Sequence, residues 1–333
     1  MHKSRSLSDE HGTFICKEWG EGGTPKATFL MGVYNSGGLV TRAIHSILSQ
    51  SDSDFELIIV FDGSTQEDFD VLNSFFEKDH RLRIIMQENL GLTKSLNRGI
   101  RLARSSIIVR HDADDVSFPH RLETHLKHFK ENPSLAVSMV RAKLVSECGK
   151  WIRNTPYIEH KKIPHLLSKG NLLVHGACAI NLIRVPFSEN LYDEKWKYAQ
   201  DFELWNRLAA NNRRFRISSG IQYQLTIAPT SISFKKKNHQ IAYAAFTICR
   251  SLSTRYQELL KESHNISQAI TRLTDSEYKN FTSVYVNKGG SLTFLPPERN
   301  VSLRIRFIYI LKKSKVYVLL GRLRGLLKKN QKK

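Results

Sequence analysis

Three aspartates stand within four positions of the chain, at Asp112, Asp114 and Asp115. The run from Ile107 to Val109 precedes them and predicts a buried strand that ends at these carboxylates. Carboxylates this close raise one another's pKa unless a cation compensates their charge. Mg²⁺ takes one or two protein carboxylates and completes its shell with water and substrate phosphates. The cluster therefore predicts a divalent metal that carries phosphates; a solvated acidic turn after a strand is the alternative.

A fourth candidate acid is Asp201. Phe202, Trp205 and Leu208 follow it at helical spacing and predict a buried helix face. An ionised carboxylate at the start of a helix interacts favourably with the helix dipole, so Asp201 reads equally well as a helix cap. Glu203, on the same helix, is compatible with an ordinary surface acid.

The elements that must position these acids are predicted by hydrophobic patterning. Between residues 27 and 110, four apolar strand patterns alternate with amphipathic helix patterns, which predicts a largely parallel sheet with right-handed crossovers. The four predicted strands cover residues 27–34, 55–61, 82–86 and 107–110. Ligands bind such sheets at the carboxyl ends of the strands. Asn35, Asp62, Asn89 and the acids of 112–115 all fall at that edge.

Composition limits the class of protein and of partner. The chain has 333 residues and 41% hydrophobic content, enough for one large α/β domain with a smaller appended unit. Its net charge of +20 favours anionic partners, which include nucleic acid, anionic lipid and sugar nucleotides. The 4 cysteines form no C-x-x-C pair, which favours a reducing cytoplasm over a zinc site or a disulfide framework. No signal peptide is recognised, and no run of about 18 apolar residues predicts a membrane span.

Several short motifs occur in a fixed order along the first two thirds of the chain. They are Val33-Tyr34-Asn35, the segments 46–50 and 55–60, Asp62-Gly63-Ser64-Thr65, the segment 89–93, and Asp112-Ala113-Asp114-Asp115. This order resembles family 2 glycosyltransferases of the GT-A fold, over roughly residues 27–235. The segment 91–97, followed by Arg110-His111-Asp112 and Pro119-His120-Arg121, is similar to the subgroup that builds bacterial O-antigen, capsule and exopolysaccharide repeats.

The resemblance implies an α/β fold of the GT-A (Rossmann-like) type, with a mostly parallel central sheet flanked by helices. It implies an inverting transfer of a sugar from a nucleotide-sugar, a UDP-sugar, to a saccharide or lipid-linked oligosaccharide acceptor. The Q-x-x-R-W motif of processive synthases is missing, so one sugar per binding event is expected. The implied cofactor is a divalent metal, Mn²⁺ or Mg²⁺.

Individual roles follow from the same resemblance. Asp62 would receive the uracil ring, and Asp114 would hold the metal together with Asp112. Asp201 would be the general base. The backbone of Val33 and Asn35, together with Asn89 and Lys94, would complete the nucleotide-sugar site, and His175 and Glu203 would lie on the acceptor side. The family often has another aspartate where this chain has Phe61, which removes one polar contact from the base pocket.

The chain is predicted to have three parts: a loose leader over residues 1–26, a GT-A domain over 27–235, and a helical basic extension over 236–333. Within the domain, 27–115 is the nucleotide-binding half and 116–235 the acceptor half. From about residue 301 the extension is basic and amphipathic, and no acid follows Glu298. This pattern predicts binding to an anionic membrane surface, and hence a cytoplasmic protein held at the inner face of the membrane. An amphipathic helix packed on the protein's own domain or on a partner is the alternative.

Three other classes of function explain the sequence less completely. A nucleotidyltransferase uses metal and carboxylates on a similar sheet, but it needs an arginine in the loop after the first strand, and the segment 34–38 has none. A nucleic-acid-binding protein would explain the charge, but the basic residues lack interleaved aromatics, so no nucleic acid is expected as a partner. A basic anion-binding module or scaffold without catalysis leaves the acids at the strand ends unexplained.

Overall fold

The computed structural model describes residues 2–19, 23–168, 170–185, 191–228 and 236–288. The chain divides into two compact units, residues 1–229 and residues 230–333. The predicted basic tail, from about residue 301, lies outside the described residues. No helix in the described ranges is both long enough and apolar enough to cross a membrane.

The described part of the first unit holds a large mixed sheet and its helices. The strands are β1 His2–Asp9, β2 Gly12–Trp19, β3 Ala27–Val33, β4 Phe55–Asp62, β5 Leu82–Gln87, β6 Ile107–Arg110, β7 Val116–Ser117, β8 Leu135–Ser146, β9 Trp151–Asn154, β10 Cys178–Asn181 and β11 Arg214–Ile227. The helices are α1 Leu39–Leu48, α2 Gln66–Phe76, α3 Leu92–Arg101, α4 Arg121–Glu131, α5 Ile163–Leu167 and α6 Gln200–Ala210. A short 3₁₀ helix covers His175–Ala177.

The strand order is β1-β2-β5-β4-β3-β6-β10-β8-β11-β7, and β9 pairs with β8. The four strands β5, β4, β3 and β6 are parallel to one another. This confirms the α/β fold with a central sheet that is mostly parallel in its core. Strand β10 runs antiparallel between β6 and β8, and β11 is parallel to β8. Strands β3, β4, β5 and β6 therefore end at one edge, where the predicted site residues lie.

Strand β4 forms the middle of the core. Its residues Leu57 to Val60 have no exposed surface, because α-helices cover both faces of a parallel sheet. Burial of each such aliphatic side chain contributes about 1.5–3 kcal/mol. Helix α1 packs Val40, Ala43 and Ile44 into the same core. These contacts hold the carboxyl ends of the strands, and the loops beyond them, in fixed positions.

The prediction that residues 1–26 form a loose leader is wrong. Strands β1 and β2 form an antiparallel hairpin, and β2 pairs with β5, so the hairpin extends the sheet. Phe14 and Cys16 of β2 are buried, as is Glu18, which pairs with Arg83 at 3.1 Å. The polar sequence of β1 does not predict a strand, because its residues are largely exposed and are held by pairing to β2 rather than by burial.

The hairpin turn is tied to α3 through Asp9. The Arg98 guanidinium donates to both oxygens of Asp9, and Arg101 donates to one of them at 2.8 Å. Arg98 also donates to Gln87 Oε1 at 2.7 Å, and Gln87 Nε2 donates to Asp62 Oδ1 at 2.7 Å. A buried chain of hydrogen bonds thus runs from the N-terminal hairpin to a predicted nucleotide residue.

We expect Asp9→Asn to lower the free energy of unfolding by about 1–3 kcal/mol at pH 7, since it breaks a nearly buried ion pair. The hydrogen bonds from Arg98 hold the pKa of Asp9 well below its ordinary value of 3.8. A depressed pKa stabilises the fold above 3.8, and the contribution is lost as the pH falls toward the folded-state pKa. Urea unfolding of both proteins should therefore show a difference that shrinks below that pH. A difference that stays constant in acid would contradict this account.

In the second unit the described residues, 236–288, fold into helices α7 Lys237–Leu252, α8 Thr254–Lys261, α9 Ile266–Thr271 and α10 Asp275–Asn287. Helix α10 begins with a capping box in which the Thr274 side chain accepts from Glu277 N–H and the Glu277 side chain accepts from Thr274 N–H. The Tyr256 hydroxyl donates to the Glu277 carbonyl oxygen at 2.9 Å, which joins α8 to α10. The extension is therefore helical as far as it is described.

Candidate active site

Asp112 follows the end of β6 and is held by neighbours on both sides. Arg110 donates to Asp112 Oδ1 at 2.5 Å, and the Asp112 N–H donates to the Tyr223 hydroxyl at 3.2 Å. Gly176 lies against the same carboxylate, since a Cβ built at that position would be 2.7 Å from Asp112 Oδ2 and 2.3 Å from Tyr223 Oη. One carboxylate of the predicted D-x-D motif is thus fixed between β6, the 3₁₀ helix and β11.

Asp114 and Asp115 are unfavourable as free anions. Burial, and then the charge of Asp112, raises the pKa of Asp114 to about 6. Burial also raises the pKa of Asp115 well above its usual range, and the charges of Asp112 and Asp114 add to the effect. Asp115 Oδ1 accepts from Thr226 N–H at 2.7 Å, and its Oδ2 is buried without a hydrogen-bond partner among the described residues. Such a cluster fits a bound divalent cation, because a positive charge would offset the cost of ionising these carboxylates.

The three aspartates do not form a closed cage of side-chain ligands. Among the described residues, three possible ligand atoms come within 4.8 Å of one another only at Glu10, His11 and Glu194. That group is already paired, since His11 Nε2 lies 3.0 Å from Glu194 and Arg101 lies 3.3 Å from Glu10. An open arrangement at Asp112 and Asp114 suits Mg²⁺ or Mn²⁺, which keep coordination positions for phosphate and water.

Asp201 lies in the first turn of α6. Burial raises its pKa, and the negative charge of Asp112 adds to that effect. Asn171 Nδ2 donates to Asp201 Oδ2 at 2.6 Å. The helix begins after Ala199, whose φ of 53° lies in the left-handed region that non-glycine residues rarely adopt.

The two residues predicted for the acceptor side differ in their surroundings. His175 Nε2 lies 2.7 Å from the Tyr192 hydroxyl, and its ring packs edge-on against Tyr192 and Trp205. Burial, together with the charge of Arg110, lowers the pKa of His175 well below its usual range, so its ring is neutral.

Glu203 has no exposed surface, in contrast to an acid that would meet an acceptor. Arg207 donates to its two oxygens at 3.0 and 3.2 Å, and to the Leu191 carbonyl oxygen at 2.6 Å. The structure thus corrects the expectation for Glu203. Its carboxylate anchors the segment before α6 and is not available to a substrate.

On the nucleotide side, the carboxylate of Asp62 shapes the loop after β5. It accepts from Leu90 N–H at 2.8 Å and Gly91 N–H at 2.9 Å, besides the bond from Gln87. Asn89 Nδ2 donates to the Asp62 carbonyl oxygen at 3.0 Å. These bonds hold the loop beside the predicted base pocket. Contact between Asp62 and uracil stays a prediction. Lys94 is partly exposed on α3, within reach of the same edge.

The loop after β3 adopts a left-handed turn at Asn35, with φ of 51°, and the Asn35 N–H donates to Ser64 Oγ at 2.7 Å. Val33 is fully buried just before it. Gly63 has φ of 65°, and a Cβ there would lie 2.7 Å from Asn89 N, so only glycine fits. The two loops and the loop after β5 therefore approach one another closely at the carboxyl edge of the sheet.

Asp68 joins these loops and was missed in the sequence because its contacts are nonlocal. It is buried on α2 and accepts from Ser36 N–H at 3.0 Å, from Ser36 Oγ, and from Ser64 Oγ. Burial alone would raise its pKa, but the hydrogen bonds from Ser36 and Ser64 hold the pKa below its usual value. The only sequence signal was its place in the first turn of a helix after a glycine-containing loop.

Arg121 is a second residue whose part in the site the sequence did not show. It has no exposed surface and donates to the carbonyl oxygens of Arg110 and Gly176, both at 2.7 Å. Its guanidinium lies 4.6 Å from the Tyr223 ring centroid. Burial lowers its pKa to about 10, which leaves it charged at neutral pH. Arg121 therefore joins the end of β6 to the 3₁₀ helix that lies against Asp112.

Helix α3 explains the motif at residues 91–97. Asn97 Nδ2 donates to the Tyr192 carbonyl oxygen at 2.8 Å, and the Tyr192 N–H donates to Asn97 Oδ1 at 3.0 Å. The Thr93 hydroxyl donates to the Trp196 carbonyl oxygen at 2.9 Å. These bonds fix the segment that leads to Asp201, so one helix positions both the loop at Asp62 and the start of α6.

We expect Gly176→Ala to reduce catalysis at least tenfold, because its methyl group would overlap Asp112 Oδ2 and the hydroxyl of the fully buried Tyr223 and would displace one of them. Overpacking of this kind costs about 1–3 kcal/mol of stability. Steady-state kinetics at a temperature well below the unfolding midpoint separates the two effects. The matched change Gly23→Ala, at a position without a positive φ where a Cβ would meet nothing within 4 Å, should leave catalysis unchanged. Full activity of Gly176→Ala would contradict the assigned packing at Asp112.

Comparison with known proteins adds independent findings. Residues 28–185 match the family model "Glycosyl transferase family 2". The uncharacterized glycosyltransferase MJ1057 of Methanocaldococcus jannaschii is 28% identical over 232 residues, which cover 67% of this chain and 79% of that protein. The O-antigen biosynthesis glycosyltransferase WbnJ of Escherichia coli is 29% identical over 241 residues, covering 70% of this chain and 88% of WbnJ.

Other alignments are less complete. The chain spans 31% and 27% of the length of two uncharacterized glycosyltransferases, from Rickettsia felis and Rickettsia bellii. Among solved structures, residues 1–349 of S. aureus TarS in complex with UDP superpose with a TM-score of 0.51 at 16% identity, over 79% of this chain and 80% of that fragment. At this identity the similarity to TarS shows the shared fold.

The parallel core of the sheet and the superposition on TarS give the GT-A fold. The match to the family model and the glycosyltransferase relatives identify the protein as a glycosyltransferase. Residues 28–185 form its glycosyltransferase family 2 domain.

Proposed function

We propose that the protein transfers a sugar from a nucleotide-sugar, a UDP-sugar, to a hydroxyl of a saccharide acceptor, with inversion of the anomeric carbon. The observation that carries the proposal is that the 3₁₀ helix His175–Ala177 contacts both acidic elements: Gly176 lies against the Asp112 carboxylate, and the His175 ring packs against Trp205 of α6, the helix that carries Asp201. Carboxylates on two such elements can serve donor and acceptor separately. The relative WbnJ is named for O-antigen biosynthesis, which supports a place in surface polysaccharide synthesis.

Asp201 acts as the general base in this mechanism. Its raised pKa brings it nearer to neutrality, where a carboxylate removes a hydroxyl proton more effectively. The hydrogen bond from Asn171 orients the carboxylate. As the acceptor oxygen attacks the anomeric carbon, the proton passes to Asp201 and the bond to the diphosphate breaks. A single displacement of this kind inverts the configuration.

On the donor side, Asp114 and Asp112 would hold a divalent metal, Mn²⁺ or Mg²⁺. When bound, the metal supplies positive charge that stabilises the leaving diphosphate. Arg110 and the packing of Gly176 fix the Asp112 carboxylate, so little reorganisation is needed when donor binds. The loops at Asn35 and Asn89 would receive the nucleoside.

Hydrolysis of a panel of UDP-, GDP- and dTDP-sugars in the presence of Mn²⁺ tests this function. We expect release of nucleoside diphosphate from at least one UDP-sugar, and weaker release from the others. Added saccharide acceptors should accelerate release and yield a product of inverted configuration. Turnover of no nucleotide-sugar would overturn the proposal, and a product of retained configuration would exclude the base role of Asp201.

A lipid-linked acceptor at the inner face of the membrane is part of the same proposal, supported by the basic pattern from about residue 301. Basic residues near an anionic leaflet each contribute about 1 kcal/mol. Deleting residues from Val301 onward should therefore move the protein from the membrane fraction to the soluble fraction of a cell lysate. Unchanged partition would count against a membrane role for this tail.

A further inference from the structure

A cavity of about 480 Å³ lies in the first unit, away from the acidic cluster. It is lined by α4, by the segment around Tyr157, and by β11 at Phe215 to Ser219. The acidic cluster contacts the opposite end of β11, at Tyr223 and Thr226. Small-molecule sites in proteins occupy about 300–1,000 Å³, so this space is large enough for a monosaccharide-sized ligand.

The charges at the cavity favour an anion. Lys127 and Arg216 line it, and no carboxylate is among its lining residues. In the described part of the chain the ion pairs of both cations are with the same acid, since Glu131 lies 2.6 Å from Arg216 and 3.8 Å from Lys127. Burial, followed by the charge of Arg216, lowers the pKa of the lining residue His128 to about 4. The two cations are therefore only partly compensated.

A buried chain of hydrogen bonds determines which nitrogen of His128 remains for a ligand. The Arg121 guanidinium can only donate, so His125 Nε2 accepts from it at 3.3 Å and the His125 proton is on Nδ1. His125 then donates to Ser138 Oγ at 2.8 Å, and His128 Nδ1 lies 2.8 Å from the same oxygen. The Nδ1 atom of His128 is therefore engaged by Ser138, which leaves its Nε2 atom for a ligand.

The remaining wall of the cavity is suited to a sugar. The Tyr157 side chain is 55% exposed and gives an aromatic face, and Ser218 and Ser219 contribute polar backbone and hydroxyl groups. An aromatic face beside polar groups suits a ligand with both an apolar ring face and hydroxyls.

We propose that this cavity is a second ligand site, which binds a saccharide through an anionic group, a phosphate or a carboxylate. Arg216 and Lys127 hold the anionic group, and the sugar ring lies against Tyr157. That the ligand is a saccharide rests on the proposed function, whereas that it carries an anionic group rests on the charges at the cavity alone.

Calorimetric titration with glucose 6-phosphate, glucuronate and glucose tests the site. We expect both anionic sugars to bind at least tenfold more tightly than glucose. Arg216→Gln should weaken their binding about tenfold, because it removes a charge-assisted hydrogen bond. Glu131→Gln should tighten binding severalfold, since it frees both cations. Lys130→Gln, an exposed change on the same helix outside the cavity, is the matched control and should have no effect.

Equal binding of glucose, an unchanged affinity in Arg216→Gln, or weaker binding in Glu131→Gln would each overturn the proposal. Tighter binding of glucuronate than of glucose 6-phosphate would identify the carboxylate as the group bound, and the reverse order would identify the phosphate. Nucleotide-sugar hydrolysis by Arg216→Gln separates the two proposals. Normal hydrolysis with lost anion binding supports a distinct site, whereas anion binding in a protein that hydrolyses no nucleotide-sugar would refute only the proposed function.

Discussion

Replacing Asp114 by alanine is expected to reduce sugar transfer by a factor on the order of 10³, because it removes the carboxylate proposed to hold the metal at the leaving diphosphate. The residue is already unfavourable as a free anion, with a pKa raised to about 6 by burial and by Asp112. Because ionised Asp114 is unfavourable in the folded protein, we expect a ligand at the end of the central sheet, rather than the fold, to stabilise its charge. The measurement is the release of nucleoside diphosphate with Mn²⁺, in the parent and in the variant.

Stability should change in the opposite direction to activity. An acid whose pKa is raised in the folded state destabilises the fold as the pH rises from its ordinary value of 3.8 through about 6. Without metal at pH 8, Asp114→Ala should therefore be at least as stable as the parent in urea. Added Mn²⁺ should raise the unfolding midpoint of the parent and not of the variant.

The matched control is Asp70→Ala, an exposed acid on α2, for which neither activity nor the Mn²⁺ effect should change. An Asp114→Ala enzyme as active as the parent would exclude metal binding by this residue.

The second large effect is expected for Asp201→Asn, with transfer reduced by about 10² to 10⁴ and donor binding retained. Asparagine keeps the size of the side chain and an oxygen that can accept from Asn171, but it cannot take the acceptor proton. The burial and the charge of Asp112 that raise the pKa of Asp201 make it a better base near neutral pH. The loss should appear in kcat for transfer, with little change in donor affinity measured by titration.

Glu203→Gln provides a matched control on the same helix. It weakens the pair between the fully buried Glu203 and the partly exposed Arg207, so we expect a lower unfolding midpoint together with normal transfer by the folded fraction. Asp201 would then have a chemical role, and Glu203, two residues later, a structural one. If Asp201→Asn instead failed to bind donor, the residue would not be the base.

Much of the central sheet followed from local pattern. Residues 55–61 are a near-continuous apolar run, and the structure has β4 at Phe55–Asp62, since a strand covered on both faces needs apolar residues throughout. The carboxyl edge, and with it the positions of Asp62 and Asp112, followed from the alternation of strands and helices.

The errors arose where contacts between distant segments decide the structure. Strand β1 is polar and exposed, and only its pairing to β2, which itself pairs with β5, makes it a strand. Asp68 and Arg121 are held by groups that the sequence separates widely, such as Ser36 and the Gly176 carbonyl. The burial of Glu203 had one local signal, the Arg207 four residues later, which fits both an exposed pair and a buried one.

The hairpin at residues 2–19 also affects how the protein behaves in solution. The recognisable motifs begin near residue 28, and a version trimmed to that point would leave the hydrogen-bonding edge of β5 uncovered. Bare edges of apolar strands such as Leu82–Gln87 invite pairing between molecules and aggregation. In the intact chain the outermost strand instead carries Lys3 and Arg5, and charged side chains discourage such pairing. Poor solubility of the trimmed protein would thus result from loss of the hairpin that covers the edge of β5, rather than from a misfolded catalytic domain.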